Sequence, residues 1–175
     1  MKSFIDHLST YAEYHRDTRN IMTHLVGVPV IVFAVIVLLS RPMFEVAGYT
    51  ANPAMIAYAA SLVFYFRLNF VFGAMMAVLM GMGIFAAMNI AMASTTVWLA
   101  TGVGMFVVGW IIQFVGHHYE GKKPAFVDDL VGLLIGPLFI VAEVLFALGM
   151  FKNLKAEIES RVGGTRTGQQ TQASA

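Results

Sequence analysis

Four of the five histidines in this 175-residue chain fall in two short polar clusters. His15 and His24 stand with Asn20 in YHRDTRNIMTH, and His117 and His118 stand with Gln113 and Glu120 in QFVGHHYE. Imidazoles beside a carboxylate suit Fe(II), Mn(II) or Zn(II), and amides such as Asn20 and Gln113 can orient the ligand rings. Residues nine apart on one continuous helix are about 180° out of phase, so His15 and His24 meet only if the chain breaks between them. Asp17-Thr18 supplies that break, with Asp17 a good N-cap for the helix that follows. Asn20 and His24 share a helix face, as do Gln113, His117 and Glu120, whereas His118 points about 100° away from His117. Interfacial histidines often do no more than bond to lipid headgroups; four on one face favour a joint site. His7 falls outside both clusters.

The element that brings the clusters together is a set of membrane-spanning helices. The chain is 58% apolar and 12% charged, against about 25% charged in an ordinary soluble domain. A span needs about 20 mostly apolar residues, and four stretches come near that: Ile21 to Ser40, ended by Arg41-Pro42; Asn52 to Phe66, short and opened by a cap with Pro53 behind it; Phe70 to Ala93; and, after Ser94-Thr95-Thr96, Val97 to Val115. Four crossings return the chain to its starting face, which places all four clustered histidines together. A fifth apolar stretch, Leu130 to Phe151, is interrupted by Gly136-Pro137 and contains Glu143, so it spans, kinks or re-enters. If it spans, six basic residues lie inside and five outside; if it re-enters, ten lie inside and one, Arg41, outside, which the positive-inside rule favours. Glu143 is an ionisable group within an apolar run, functional by default and otherwise a neutral side chain bonded to a neighbouring helix. Ahead of the first span, Ser3 and Asp6 have capping-box spacing and Phe4, Leu8 and Tyr11 follow at helical intervals, which predicts an amphipathic helix on the membrane surface. Gly73-x3-Ala77-x3-Gly81 and Gly132-x3-Gly136 offer flat faces for close packing.

The expected fold is therefore all-α: a polytopic membrane bundle of four spanning helices, a kinked or re-entrant C-terminal helical segment and an N-terminal amphipathic helix. Met1 to Ile158 form one membrane domain and Glu159 to Ala175 a disordered polar tail. A net charge of +1 without a basic run leaves no footprint for nucleic acid. With no cysteine there is no disulfide, thiolate nucleophile or iron–sulfur cluster. G-x-S-x-G, P-loop and H-E-x-x-H motifs are absent, as are the H-x-x-H-H boxes of membrane desaturases. The opening MKSFIDHLSTYAEYHRDTRN lacks the apolar core of a signal peptide and is expected in the mature chain. Lys122 and Lys123 read first as an inside-facing basic loop and second as a clamp for a carboxylate. Two non-catalytic readings compete with an enzyme: a haem or quinone anchor, and a structural, lipid-organising protein. The sequence leaves room for a homo-oligomer.

Tyr14-His15, Asn20, His24, Gly27 and Pro29 form YH-x4-N-x3-H-x2-G-x-P, and Gln113 to Ala125 read QFVGHHYEGKKPA, followed by Asp129-Leu130, Gly136-Pro137 and Glu143. In this order, at opposite ends of a hydrophobic bundle, the two motifs resemble the Mpo-like family, the yeast-type 2-hydroxy fatty acid dioxygenases of fatty acid α-oxidation. The resemblance runs from about Leu8 to about Met150. It implies an Fe(II) enzyme that takes a 2-hydroxy fatty acid and O2 to a chain one carbon shorter. The family's ligand positions carry over to His15, His24 and His117, and His118, at a place the motif leaves open, is the fourth candidate ligand. Joined to the reading of the residues, it leads to the expectation that Glu120 completes the coordination or moves a proton, that Asn20 and Gln113 orient ligands, that Lys122 or Lys123 draws the carboxylate inward, and that the acyl tail lies among the apolar helices. Glu143 joins the catalytic group as the ionisable residue of the apolar run. The implied location is a bacterial inner membrane or the endoplasmic reticulum, with the metal site on the cytoplasmic side.

Overall fold

The computed structural model describes residues 2–124 and 131–167. Two compact units emerge: one from the described residues up to Val28 and from Trp110 onward, the other from Pro29–Gly109. Among the described residues the elements are α1 (Phe4–Ala12), α2 (Thr18–Leu39), β1 (Phe44–Val46), β2 (Tyr49–Ala51), α3 (Pro53–Leu68), α4 (Phe70–Ala91), α5 (Thr95–Glu120), α6 (Gly132–Ala147) and α7 (Lys152–Val162). The class is all-α and membrane-embedded, as the composition requires.

Helix starts follow the local chemistry. At α1 the Asp6 amide donates to Ser3 Oγ at 3.1 Å and the Ser3 amide to Asp6 Oδ2 at 2.8 Å, the reciprocal box that the spacing predicts. Asp17 Oδ1 accepts the Arg19 amide at 2.8 Å and opens α2. Asn52 and Asn69 accept the amides of Met55 and Phe72, each at 3.1 Å, and open α3 and α4. α2, α4 and α5 have 22, 22 and 26 residues, long and apolar enough to cross a bilayer. α3, expected as the short second span, has 16 residues. At 1.5 Å per residue that is about 24 Å, less than the ~30 Å hydrocarbon core.

In the Pro29–Gly109 unit the flat face at Gly73 is used as expected. A Cβ there would lie 2.9 Å from the Phe66 ring of α3, and Tyr58 Oη donates to the Ala77 carbonyl at 2.8 Å. Arg41 closes the end of α4, donating to the carbonyls of Ala91 and Ala93 with its guanidinium 5.1 Å from the Trp98 ring. The β1–β2 hairpin was not expected from the sequence. It pairs Phe44 with Ala51 and Val46 with Tyr49 around a two-residue turn in which Ala47 and Gly48 both take positive φ, 51° and 83°. Such turns are signalled by Asn-Gly or Asp-Gly, and Ala-Gly carries only half of that signal.

In the other unit the fifth apolar stretch becomes α6, which is followed by α7 after a bend of 116°. Gly149 and Phe151, both with positive φ, make the turn. α7 returns to α1, where Arg161 Nη1 meets Asp6 Oδ1 at 2.8 Å. The chain therefore comes back to the N-terminal helix. Glu159–Val162, expected in the polar tail, complete α7, and Arg166 forms a parallel bridge with Asp17. Asp129-Leu130 of the second motif and the tail from Gly168 onward lie outside the described residues.

The α2–α5 approach rests on one glycine that the sequence did not single out. A Cβ on Gly116 would collide with Thr23 Oγ1 and come within 2.5 Å of Asn20 Oδ1. Alanine is the better helix former by about 1 kcal/mol, but overpacking costs about 1–3 kcal/mol. Gly116→Ala is thus expected to lower the melting temperature in detergent, whereas Gly104→Ala, where nothing lies within 4 Å of the new methyl group, is expected to leave it unchanged or raise it.

Candidate metal centre

His15 follows the end of α1, His24 lies in the second turn of α2, and His117 lies in the last turn of α5. Their ring centroids are 4.4, 5.1 and 4.8 Å apart pairwise, and one ring nitrogen from each falls within 4.8 Å of the others. All three side chains are buried.

The protonation pattern follows from the hydrogen bonds. His15 Nδ1 lies 2.7 Å from the Tyr11 carbonyl and His24 Nδ1 lies 2.9 Å from the Asn20 carbonyl. A carbonyl only accepts, so each Nδ1 carries its proton and each neutral imidazole presents a lone pair at Nε2. Those two Nε2 atoms face each other at 3.0 Å. Two lone pairs at that separation repel unless a cation lies between them, so this donor set fits a metal ion. Burial first, and then the neighbouring His24, hold His15 well below the usual histidine range, which keeps the ring neutral for ligation. Three of the five buried side-chain atoms without a partner among the described residues belong here: His117 Nδ1, Asn20 Oδ1 and Gln113 Oε1. A polar ligand would satisfy such atoms.

Packing fixes the His15 ring. Tyr11 stacks on it at 4.2 Å with the planes 5° apart, and Phe139 of α6 lies 5.6 Å away. Gly136 makes room for this, because a Cβ there would lie 2.9 Å from Tyr11 Oη. The sequence placed Tyr11 on the surface helix without a role. The signal was present in its spacing four residues before His15, the same interval that links Asn20 to His24.

Glu120 has a different environment from that of a ligand. Its side chain is fully buried, and Oε2 accepts the amides of Arg16 at 2.9 Å and Asp17 at 2.8 Å together with Asn20 Nδ2 at 3.0 Å, while Oε1 accepts Arg166 Nη2 at 2.9 Å. Both oxygens are therefore engaged by protein donors, and the carboxylate is not among the three converging groups. His118, expected as a fourth candidate ligand, is exposed beside Tyr119 and outside the cluster, because it points about 100° away from His117 on the helix. Lys122 donates to the Glu13 carbonyl at 3.0 Å and lies 5.8 Å from the Tyr14 ring, and Lys123 is exposed. Glu143 is half-buried on α6, where Arg16 is its main opposite charge.

Each buried donor left unsatisfied costs about 1–3 kcal/mol. Glu120→Ala, which strands two amides and the Asn20 side chain, is accordingly expected to destabilise the protein strongly. Glu120→Gln, which keeps one carbonyl oxygen for the amides, is expected to bind metal at wild-type stoichiometry, whereas His24→Ala loses it; metal analysis of the two variants separates a ligand from a clamp.

No solved structure matches the chain. A family model described as 2-hydroxy-palmitic acid dioxygenase Mpo1-like matches residues 1–148. A relative in Saccharomyces cerevisiae, 2-hydroxy-palmitic acid dioxygenase MPO1, is 34% identical over 157 residues, covering 87% of this chain and 85% of the relative. The histidine motifs, their convergence in the fold and these matches agree: the chain belongs to the Mpo1-like family.

Proposed function

We propose that the protein is an Fe(II)-dependent 2-hydroxy fatty acid dioxygenase, with iron held by His15, His24 and His117, that shortens its substrate by one carbon. The observation that carries this reading is the pair of His15 and His24 Nε2 atoms, 3.0 Å apart with both Nδ1 protons committed to carbonyls. The family and the relative's name support the substrate class. Fe(II) bound there supplies open coordination positions for a 2-hydroxy acid chelate and the electrons that activate O2. Overall, RCH(OH)COOH and O2 give RCOOH, CO2 and H2O. Oxidation of C2 to a carboxyl and loss of C1 as CO2 release the four electrons that reduce one O2, so no external reductant is required.

The chain's own groups then have distinct tasks. The Tyr11 and Asn20 carbonyls keep the His15 and His24 protons on Nδ1. Asn20 Oδ1 and Gln113 Oε1, buried and unpartnered, accept the proton of a substrate hydroxyl or of water. Glu120 is a positioning residue, since its oxygens are spent on the turn between the two N-terminal ligands. Lys122 and Lys123 attract the substrate carboxylate from the surface, and Glu143 balances the charge of Arg16. The acyl tail lies among the apolar helices. The histidine-bearing unit also holds most of the basic side chains, including Arg16, Arg19, Lys122, Lys123, Arg161 and Arg166, which supports a cytoplasmic site. A haem reading is disfavoured, because imidazole nitrogens 3.0 Å apart leave no space for a porphyrin plane between them.

The test is anaerobic purification in mild detergent with metal analysis, followed by Fe(II), O2 and 2-hydroxypalmitate and mass spectrometry of the products. Near-stoichiometric iron, pentadecanoate formed one-for-one with O2 consumed, and loss of both iron and product in His117→Ala are the expected results. Full turnover in His24→Ala or His117→Ala would sink the assignment, and absence of metal under every loading condition would favour a structural, lipid-organising protein.

A further inference from the structure

The segment after α7 lies beyond the residues matched by the family model, which end at 148, and it makes several long-range polar contacts near the site. Gly163, with φ of 83°, ends α7 and turns the chain onto the Arg16–Thr18 loop. There the Arg166 amide donates to the Arg16 carbonyl at 2.7 Å, and the Arg166 carbonyl accepts both the amide and Oγ1 of Thr18, each at 3.0 Å. Arg16 Nη1 donates to the Gly163 carbonyl at 2.8 Å, and Arg166 Nη2 bonds to Glu120 Oε1 at 2.9 Å.

These contacts act on the stretch of chain that joins two ligands. Residues 16 and 17 lie outside both helices, so their amides have no helical partners, although the Asp17 carbonyl accepts the Ile21 amide of α2 at 3.1 Å. Glu120 takes the amides of Arg16 and Asp17, and Arg166 takes the Arg16 carbonyl and the Thr18 amide. Arg166 also brings the positive charge that a fully buried carboxylate needs, and its guanidinium is the one ion pair recorded for Glu120 among the described residues. The Arg166–Glu120 pair thus ties α5, the loop and the C-terminal segment at the point where His15 is set against His24.

We infer that residues 163–166 form a strap, anchored by Arg166, that positions His15 for metal binding; this rests on the metal reading of the three histidines. Arg166 touches none of them, and its role is to hold the loop through Glu120 and the main chain. Loss of a group that orients a metal ligand typically weakens metal binding by about 10- to 100-fold.

The experiment compares, in detergent, the wild-type protein, a chain ending at Val162, Arg166→Ala and Arg166→Lys. Two quantities are read: release of iron to a chelator, and hydrogen exchange of the peptide covering Arg16–Thr18. The shortened chain and Arg166→Ala are expected to keep wild-type helical content, release iron at least about tenfold faster and lose amide protection at Arg16–Thr18, while Arg166→Lys, which keeps the charge, recovers most of both. Wild-type iron release and wild-type protection in Arg166→Ala would overturn the strap while leaving the metal site standing. A wild-type protein that binds no iron would overturn the metal reading and the strap's positioning role with it, whatever the exchange shows of the loop. If the shortened chain fails to fold, Arg166→Ala and Arg166→Lys still decide the matter.

Discussion

A carboxylate shut away from water must find donors and a counter-charge in the protein, and Glu120 finds three donors in the chain that joins His15 to His24 and its counter-charge in Arg166. Its four donors come from Arg16, Asp17, Asn20 and Arg166. Two of these are backbone amides at the start of α2, where unsatisfied N–H groups and the helix dipole favour an anion. The contact therefore does two things together. It satisfies a loop that could not satisfy itself, and it ties the end of α5, which carries His117, to the loop that sets the other two histidines.

The rest of the histidine cluster depends on how closely the elements approach. α2 and α5 come together because Gly116 has no side chain to push Thr23 and Asn20 away, and α1 meets α6 because Gly136 admits the Tyr11 hydroxyl. Tyr11 then serves His15 with both its ring and its carbonyl. The His15 and His24 imidazoles are aimed by main-chain acceptors, which do not titrate and do not rotate. A buried histidine cluster gains from that construction, since every other orienting group would itself need a partner in a dry environment.

The return of α7 to α1 explains why a polar C-terminal segment is ordered here. Arg161 meets Asp6, Ile158 is buried, and Arg166 reaches the loop and Glu120. Low apolar content argues against independent order, but a segment can be held by a few charge-assisted bonds to a surface that is already formed. The C-terminal residues are thus recruited by the unsatisfied groups of the N-terminal ones.

Much of this protein was legible before its structure. Apolar run lengths determine three long helices and one short one; Ser3, Asp17 and Asn52 mark helix starts because capping is a local reaction of a side chain with amides two or three residues away. Helical angle alone separates His118 from His117. What tertiary structure decided is which polar groups meet. Glu120 lies on the helix face of His117 and reads as a ligand, yet Arg16, Asp17 and Arg166 occupy its oxygens. Arg166 belongs to a stretch whose composition predicts disorder. Those contacts join residues 46, 103 and 104 positions apart. No periodicity or local propensity encodes such separations, because they follow from where α7 docks and how closely Gly116 lets α5 approach α2.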